Sequence, residues 1–222
     1  MENLIVDIEK HVSTLLNNEL SRDFVYHNLS HTQRVVAAVK EISVTEKVSE
    51  TDKNALLIAA WFHDTGYTKD FNNHEDLSVK IAKEYLSGQQ LDKEFSQRIT
   101  DLILATKMGH EPKNLLEKII RDADTSHFPT KNYDQISELL RREWEFTKNQ
   151  TYSEKEWVEL NISFFTQYHR FYTNFALENW QSGKDKNLAS LFKKLYKIEK
   201  EEKKSKKKAE EFVLKKEKAS LP

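Results

Sequence analysis

The chain has 222 residues, a formal net charge of −1, no Cys, four Gly and three Pro. That length suits one domain with a sizeable core and an appendage, and the missing Cys exclude a disulfide framework and a thiolate metal site. No apolar run approaches the roughly 20 residues of a membrane span.

Turn residues are scarce and Lys, Glu, Leu and Ala are frequent, which argues against strands and hairpins and for an all-α protein. Glu2 and the lack of a basic stretch followed by an apolar one argue against a signal peptide, so a cytoplasmic location is expected. Charge is unevenly spread. Residues 184–218 hold 14 Lys against 7 Asp plus Glu, or +7, which leaves −8 for the rest of the chain. An acidic body with a basic tail bears on partners rather than on fold. It argues against a dedicated nucleic-acid domain.

Residues 3–18 place Leu4, Ile8, His11, Val12 and Leu15 on one helical stripe, with His11 packed or solvated. A polar turn at 21–27 precedes a helix near 28–42, whose apolar face is Leu29, Val35, Val36, Val39 and Ile42. His27 and His31 are four apart and share a face at its start. Residues 51–64 open on Thr51-Asp52 as an N-cap region and continue Ala-Leu-Leu-Ile-Ala-Ala-Trp-Phe. A helix apolar nearly all round is expected to be central and buried. It ends on His63-Asp64, and Gly66 is placed to take the left-handed conformation that terminates a helix. Buried His and Asp need partners, because unpaired buried charge is costly.

Residues 65–73 read as a loop. His74-Glu75-Asp76 opens a helix to about Leu86, where the two carboxylates complement the helix dipole but His74 has no such explanation. A helix near 92–108 finishes at Lys107, which either complements the dipole or contacts phosphate. His110 lies beyond it. Pro112 starts a helix ending Arg121-Asp122-Ala123-Asp124. The two carboxylates cannot share a face: Asp124 continues toward the buried side, Asp122 is expected to be solvated or to cap N–H groups, and His127 could lie near the site. Beyond Pro129, a helix at 132–147 carries Leu139, Leu140, Trp144 and the charged group Arg141-Arg142-Glu143. A long aromatic helix is then expected from Ser153, with a Ser153/Glu156 capping box, to Trp180. Its stripe is read as core, with His169-Arg170 as candidate pocket residues. The composition shifts after Gln181. Residues 184–200 keep the spacing of a packed helix, and 201–218, nearly pure Lys and Glu, read as a solvated helix or a disordered tail. The domain is thus set at 1–183 and the extension at 184–222. The extension could also be a spacer next to a membrane.

His31, His63, Asp64 and Asp124 form the candidate metal set. Two imidazoles and two carboxylates suit Mn, Fe, Co, Ni, Zn or Mg, as one ion or two, and leave positions for water and substrate. Such an ion lowers the pKa of its water and polarises a phosphoryl group.

The spacing H…HD…D resembles the HD superfamily of metal-dependent phosphohydrolases. Tyr26-His27-Asn28-Leu29-Ser30-His31-Thr32 is similar to the first-His motif, in a form also seen in cyclic-nucleotide phosphodiesterases. Ala60-Trp61-Phe62-His63-Asp64-Thr65-Gly66-Tyr67 resembles the second motif and Arg121-Asp122-Ala123-Asp124 the last. Asn73-His74-Glu75-Asp76-Leu77-Ser78 is similar to the His-Glu-x-x-Ser segment of dNTP triphosphohydrolases. Likeness to the small stand-alone HD group extends over roughly residues 10–180. The resemblance implies a helical HD bundle that hydrolyses a nucleotide or related small phosphate ester. It implies His31, His63, Asp64 and Asp124 as ligands of a divalent ion and His27 or His74 as the general acid, with Lys107 or a second ion steadying the phosphoryl oxygens. A second ion would need a further His such as His74 or His110. Thr65-Gly66-Tyr67-Thr68 departs from relatives that place an acid shortly after the HD pair, which weakens an alarmone-hydrolase reading. The Lys-rich segment resembles a linker in bacterial nucleotide-signalling proteins with a membrane module. That implies a place at the inner membrane face and, as the alternative function, nucleotide sensing without turnover.

Overall fold

The computed structural model describes residues 1–219, and among them there are helices and no strands. Helices α1 (Glu2–Glu19), α2 (Leu29–Thr45), α3 (Glu50–Phe62), α4 (His74–Ser87), α5 (Lys93–Ala105) and α6 (Leu115–Asp124) build the body. Helices α7 (Tyr133–Thr147), α8 (Glu154–Ser163), α9 (Asn174–Asn179) and α10 (Gln181–Ala219) flank it. The protein is all-α.

Helix α3 is the axis. Every residue from Ala55 to Phe62 is buried, and α1, α2, α4, α5 and α6 all pack on it. Its N-cap is Ser49, whose hydroxyl accepts from Asp52 N, two residues earlier than Thr51-Asp52 suggests. The core runs from Ile8 and Val12 through Val35, Val39, Leu56, Ile58 and Ile103 to Ile119 and Ile120. His11 is packed, its ring centroid 4.3 Å from that of Tyr85. A second cluster, with Phe128, Tyr133, Phe165, Phe171 and Leu191, joins the flanking helices to the body.

Two expectations need correction. Gly66 does not take a left-handed cap. It lies in a 3-10 turn, Thr65–Thr68, inside the stretch expected to be loop. A Cβ on it would stand 1.9 Å from the backbone oxygen of His74, so glycine is required there by close approach of the α4 backbone rather than by φ.

The continuous helix expected from Ser153 to Trp180 is broken. Its capping box forms, but α8 stops at Ser163 and widens into a π-turn at Phe164–Tyr168. His169 is extended (φ −113°, ψ 129°) and α9 restarts at Asn174. Asp122 stands at the break and takes the second of its two expected roles, capping N–H groups. Its buried carboxylate accepts from Tyr172 N, Thr173 N (2.8 Å) and Thr173 Oγ1 (2.7 Å). Those N–H groups would otherwise sit in a helix ladder, and Thr173 instead caps α9.

Residues 201–218 are a helix, the solvated one of the two alternatives expected. Helix α10 runs unbroken from Gln181 through the boundary expected at 184, with Lys184 and Leu191 buried. The side chains at 201–212 are exposed. No helix among the described residues is long and apolar enough to cross a membrane.

Candidate metal centre

Local chemistry delivers each candidate ligand. Asn28 caps α2 by accepting from Ser30 N and His31 N, which fixes the first turn and points His31 inward from a fully buried position. Helix α3 ends at Phe62. Thr65 Oγ1 donates to Phe62 O (2.7 Å), and the 3-10 turn swings Asp64 beside His63. Asp124 is the last residue of α6.

These three helix ends meet. His31 Nε2 lies 3.1 Å from Asp124 Oδ1, 3.3 Å from Asp64 Oδ2 and 3.3 Å from His63 Nε2. His63 Nε2 lies 3.1 Å from Asp64 Oδ2 and 3.7 Å from Asp124 Oδ1. Two donors bound about 2.1 Å from one ion stand roughly 3.0–3.5 Å apart, so the spacing fits a shared cation. The side chains of His31, His63 and Asp64 are shielded, whereas that of Asp124 is 29% exposed and leaves the centre a way in.

The donor chemistry agrees. His63 Nδ1 donates to Ala60 O (2.8 Å), which leaves the Nε2 lone pair facing the centre. Asp64 Oδ2 is buried and lacks an aligned hydrogen-bond partner, despite two imidazoles within 3.3 Å. Electron pairs thus converge with too little positive charge between them. Burial works against a charged His63, yet Asp64 and Asp124 lift its pKa well above the ordinary histidine value. Burial would raise both carboxylates, but the imidazoles hold them far below their usual range. A divalent ion supplies the same positive charge.

The remaining candidates are placed as follows. His27 and His74 stack on opposite sides of Tyr67, with ring centroids 4.6 Å and 3.9 Å from it. His74 Nε2 stands 3.9 Å from Asp64 Oδ1 and 3.4 Å from Glu75 Oε1. Lys107 is engaged elsewhere: its ammonium donates to Asp76 Oδ2 at 2.6 Å. His110 bonds Glu117 at 2.7 Å. His127 does come near, its nitrogens 3.4 Å from Tyr26 Oη, while Tyr26 in turn lies against His31. His169 Nε2 meets Thr125 Oγ1 at 2.9 Å, and Arg170 reaches Glu111 on the surface.

Glu143 is the residue sequence reasoning missed. Fully buried on α7, it bonds His27 Nδ1 and accepts from Tyr26 N and His27 N. Burial disfavours a charged His27, but Glu143 outweighs it and the net shift is upward. The signal was available: Glu143 is seven residues from Ile136 and falls on the buried face of α7.

Residues 28–128 match the family model of the HD domain. No curated protein and no solved structure matches the chain significantly. The match opens one residue before α2, closes just past α6, and so spans the four convergent side chains. Over residues 28–128 the chain is similar to HD domains.

Proposed function

We propose that this protein is a metal-dependent phosphohydrolase acting on a nucleotide or a related small phosphate ester. The observation that carries the reading is the buried, unpartnered Asp64 Oδ2 set between two imidazoles, with Asp124 closing the ring. A divalent ion held by His31, His63, Asp64 and Asp124 supplies an activated water and polarises the phosphoryl oxygens. The chain's own groups do the rest. Asp124, partly open to solvent, sits where a phosphate can enter. Glu143 fixes one nitrogen of His27 and favours its protonated form, so the ring can give a proton to the leaving oxygen. His74 is the second candidate donor, across the Tyr67 ring. Tyr67 is buried close to Asp64, and both effects push its pKa well above 10, so it serves as a neutral spacer that fixes the two imidazoles.

Phosphate release should be measured on nucleoside mono-, di- and triphosphates, cyclic nucleotides and alarmones, with wild type and Asp124→Ala. The expected result is turnover of at least one class, lost by about 100-fold or more in the variant. Equal turnover in both proteins would contradict the reading. Tight binding with no product would mark a sensor instead.

A further inference from the structure

We propose that the groove beside the metal centre, along α2, is the leaving-group subsite, and that it takes a nucleoside whose base presents a hydrogen-bond donor. This rests on the phosphohydrolase reading and names the part of the substrate that the metal ligands do not.

The groove is an open depression of about 460 Å³. It begins at Arg34 and His127. Arg34 is one helical turn beyond the candidate ligand His31, and His127 lies three residues beyond Asp124 in the turn that follows α6. Arg34 is half-buried, and its guanidinium makes one long side-chain bond, to Ser30 Oγ at 3.5 Å. No carboxylate pairs with it among the described residues. Burial lowers its pKa, with Asp124 and Tyr26 opposing, so the charge is incompletely solvated close to the metal centre. Such a cation suits a phosphate oxygen.

Glu41 closes the far end, seven residues along α2 and therefore about 10 Å away. Its carboxylate is exposed and has no cation partner among the described residues. Between the two ends the wall of α2 is Ala37, small and exposed. Facing it are Trp180, half-buried, and Asn132, whose side chain is not spent on capping α7.

The order is cation, neutral wall with an indole and an amide, then acceptor. Length decides among phosphate esters with complementary ends. Phosphoethanolamine carries the right charges but is too short to touch both Arg34 and Glu41. A sugar phosphate can lay a C–H face on Trp180 but lacks the length to reach Glu41. A nucleoside monophosphate has a pentose as spacer and a flat base for the indole. A base that presents an N–H on its outer edge, from an exocyclic amino group or a lactam ring nitrogen, can donate to Glu41, whereas unsubstituted purine would set lone pair against lone pair.

Binding reads the groove whether or not the site turns over. Hydrolysis-resistant methylenephosphonate analogues of AMP and of purine riboside monophosphate, and methylphosphonate alone, are titrated calorimetrically into the Mn²⁺-loaded protein. The AMP analogue should bind about tenfold more tightly than the purine riboside analogue, and both more tightly than methylphosphonate. Glu41→Gln, which can donate as well as accept, should erase that preference. Ala37→Trp, which fills the wall, should bring both analogues down toward methylphosphonate, and Arg34→Ala should weaken all three. The subsite is refuted if the AMP and purine riboside analogues bind alike in wild type, or if Ala37→Trp leaves their advantage over methylphosphonate intact. Phosphate release, measured separately, decides whether the site is hydrolytic.

Discussion

Glu143 reaches His27 from outside the HD match, which ends at residue 128, and binds the ring nitrogen while accepting both local backbone N–H groups, from Tyr26 at 2.8 Å and His27 at 2.9 Å. The flanking helices therefore complete the site as well as covering it. A buried carboxylate with three donors is well satisfied, and it fixes His27 in orientation as well as in charge.

Glu143→Gln keeps an acceptor for the backbone but removes the negative charge. His27 loses what holds its pKa up, so its protonated form gives way at lower pH. The alkaline limb of the pH–rate profile should move to lower pH, and the maximal rate should fall by about 10- to 100-fold. An unmoved limb would show that His27 is not the proton donor. The same profile for His74→Ala then tests the other candidate.

Gly66→Ala should be severely destabilising. The added Cβ would stand 1.9 Å from a backbone oxygen in α4, and no rotamer change relieves that. A loss of about 3 kcal/mol or more is expected, read as a lower denaturation midpoint. Gly88→Ala is the control, since a Cβ there meets nothing within 4 Å.

Asp122→Ala leaves the N–H groups of Tyr172 and Thr173 and the Thr173 hydroxyl without their acceptor. A cost of about 2–4 kcal/mol follows from stranding buried donors. Hydrogen exchange should quicken at 172–176 before it does in α3. Uniform protection would contradict the role given to Asp122 in breaking the aromatic segment.

Lys184 is buried between Phe165 and Phe171, with its ammonium donating to His169 O at 2.7 Å and no carboxylate in contact. Burial pushes its pKa down to about 8, against roughly 10.4 in an unfolded chain. Between those values the unfolded state binds more protons, so stability should rise with pH across roughly 8 to 10.4. Lys184→Met should flatten that rise in urea titrations. A slope equal to that of wild type would place the ammonium in solvent.

Most of the architecture is written in local signals. The uninterrupted apolar run of α3 announces a central helix, and Ser153 with Glu156 announces the start of α8. The four convergent side chains are legible because each terminates or begins an amphipathic helix, where a polar residue on an inward face lacks a bland explanation. What stays hidden depends on contacts distant in sequence. Nothing near Gly66 reports the approach of His74. The aromatic spacing from Trp157 to Phe175 reads as one helix because Asp122, some fifty residues earlier, is what breaks it. Lys107 looks available for phosphate until Asp76, 31 residues away, is seen to hold it. Glu143 hides inside a run of charges, and only its helical phase relative to Ile136 marks it as buried.

The central claim is that His31, His63, Asp64 and Asp124 share one divalent cation. Elemental analysis and Mn²⁺ titration of wild type, His63→Ala and Asp64→Ala, with circular dichroism alongside, test it most directly. Wild type should bind at least one ion per chain, and each variant should lose about 100-fold or more in affinity while keeping its helix content. Undiminished Mn²⁺ affinity in either folded variant, or no binding by wild type at millimolar metal, would contradict the account.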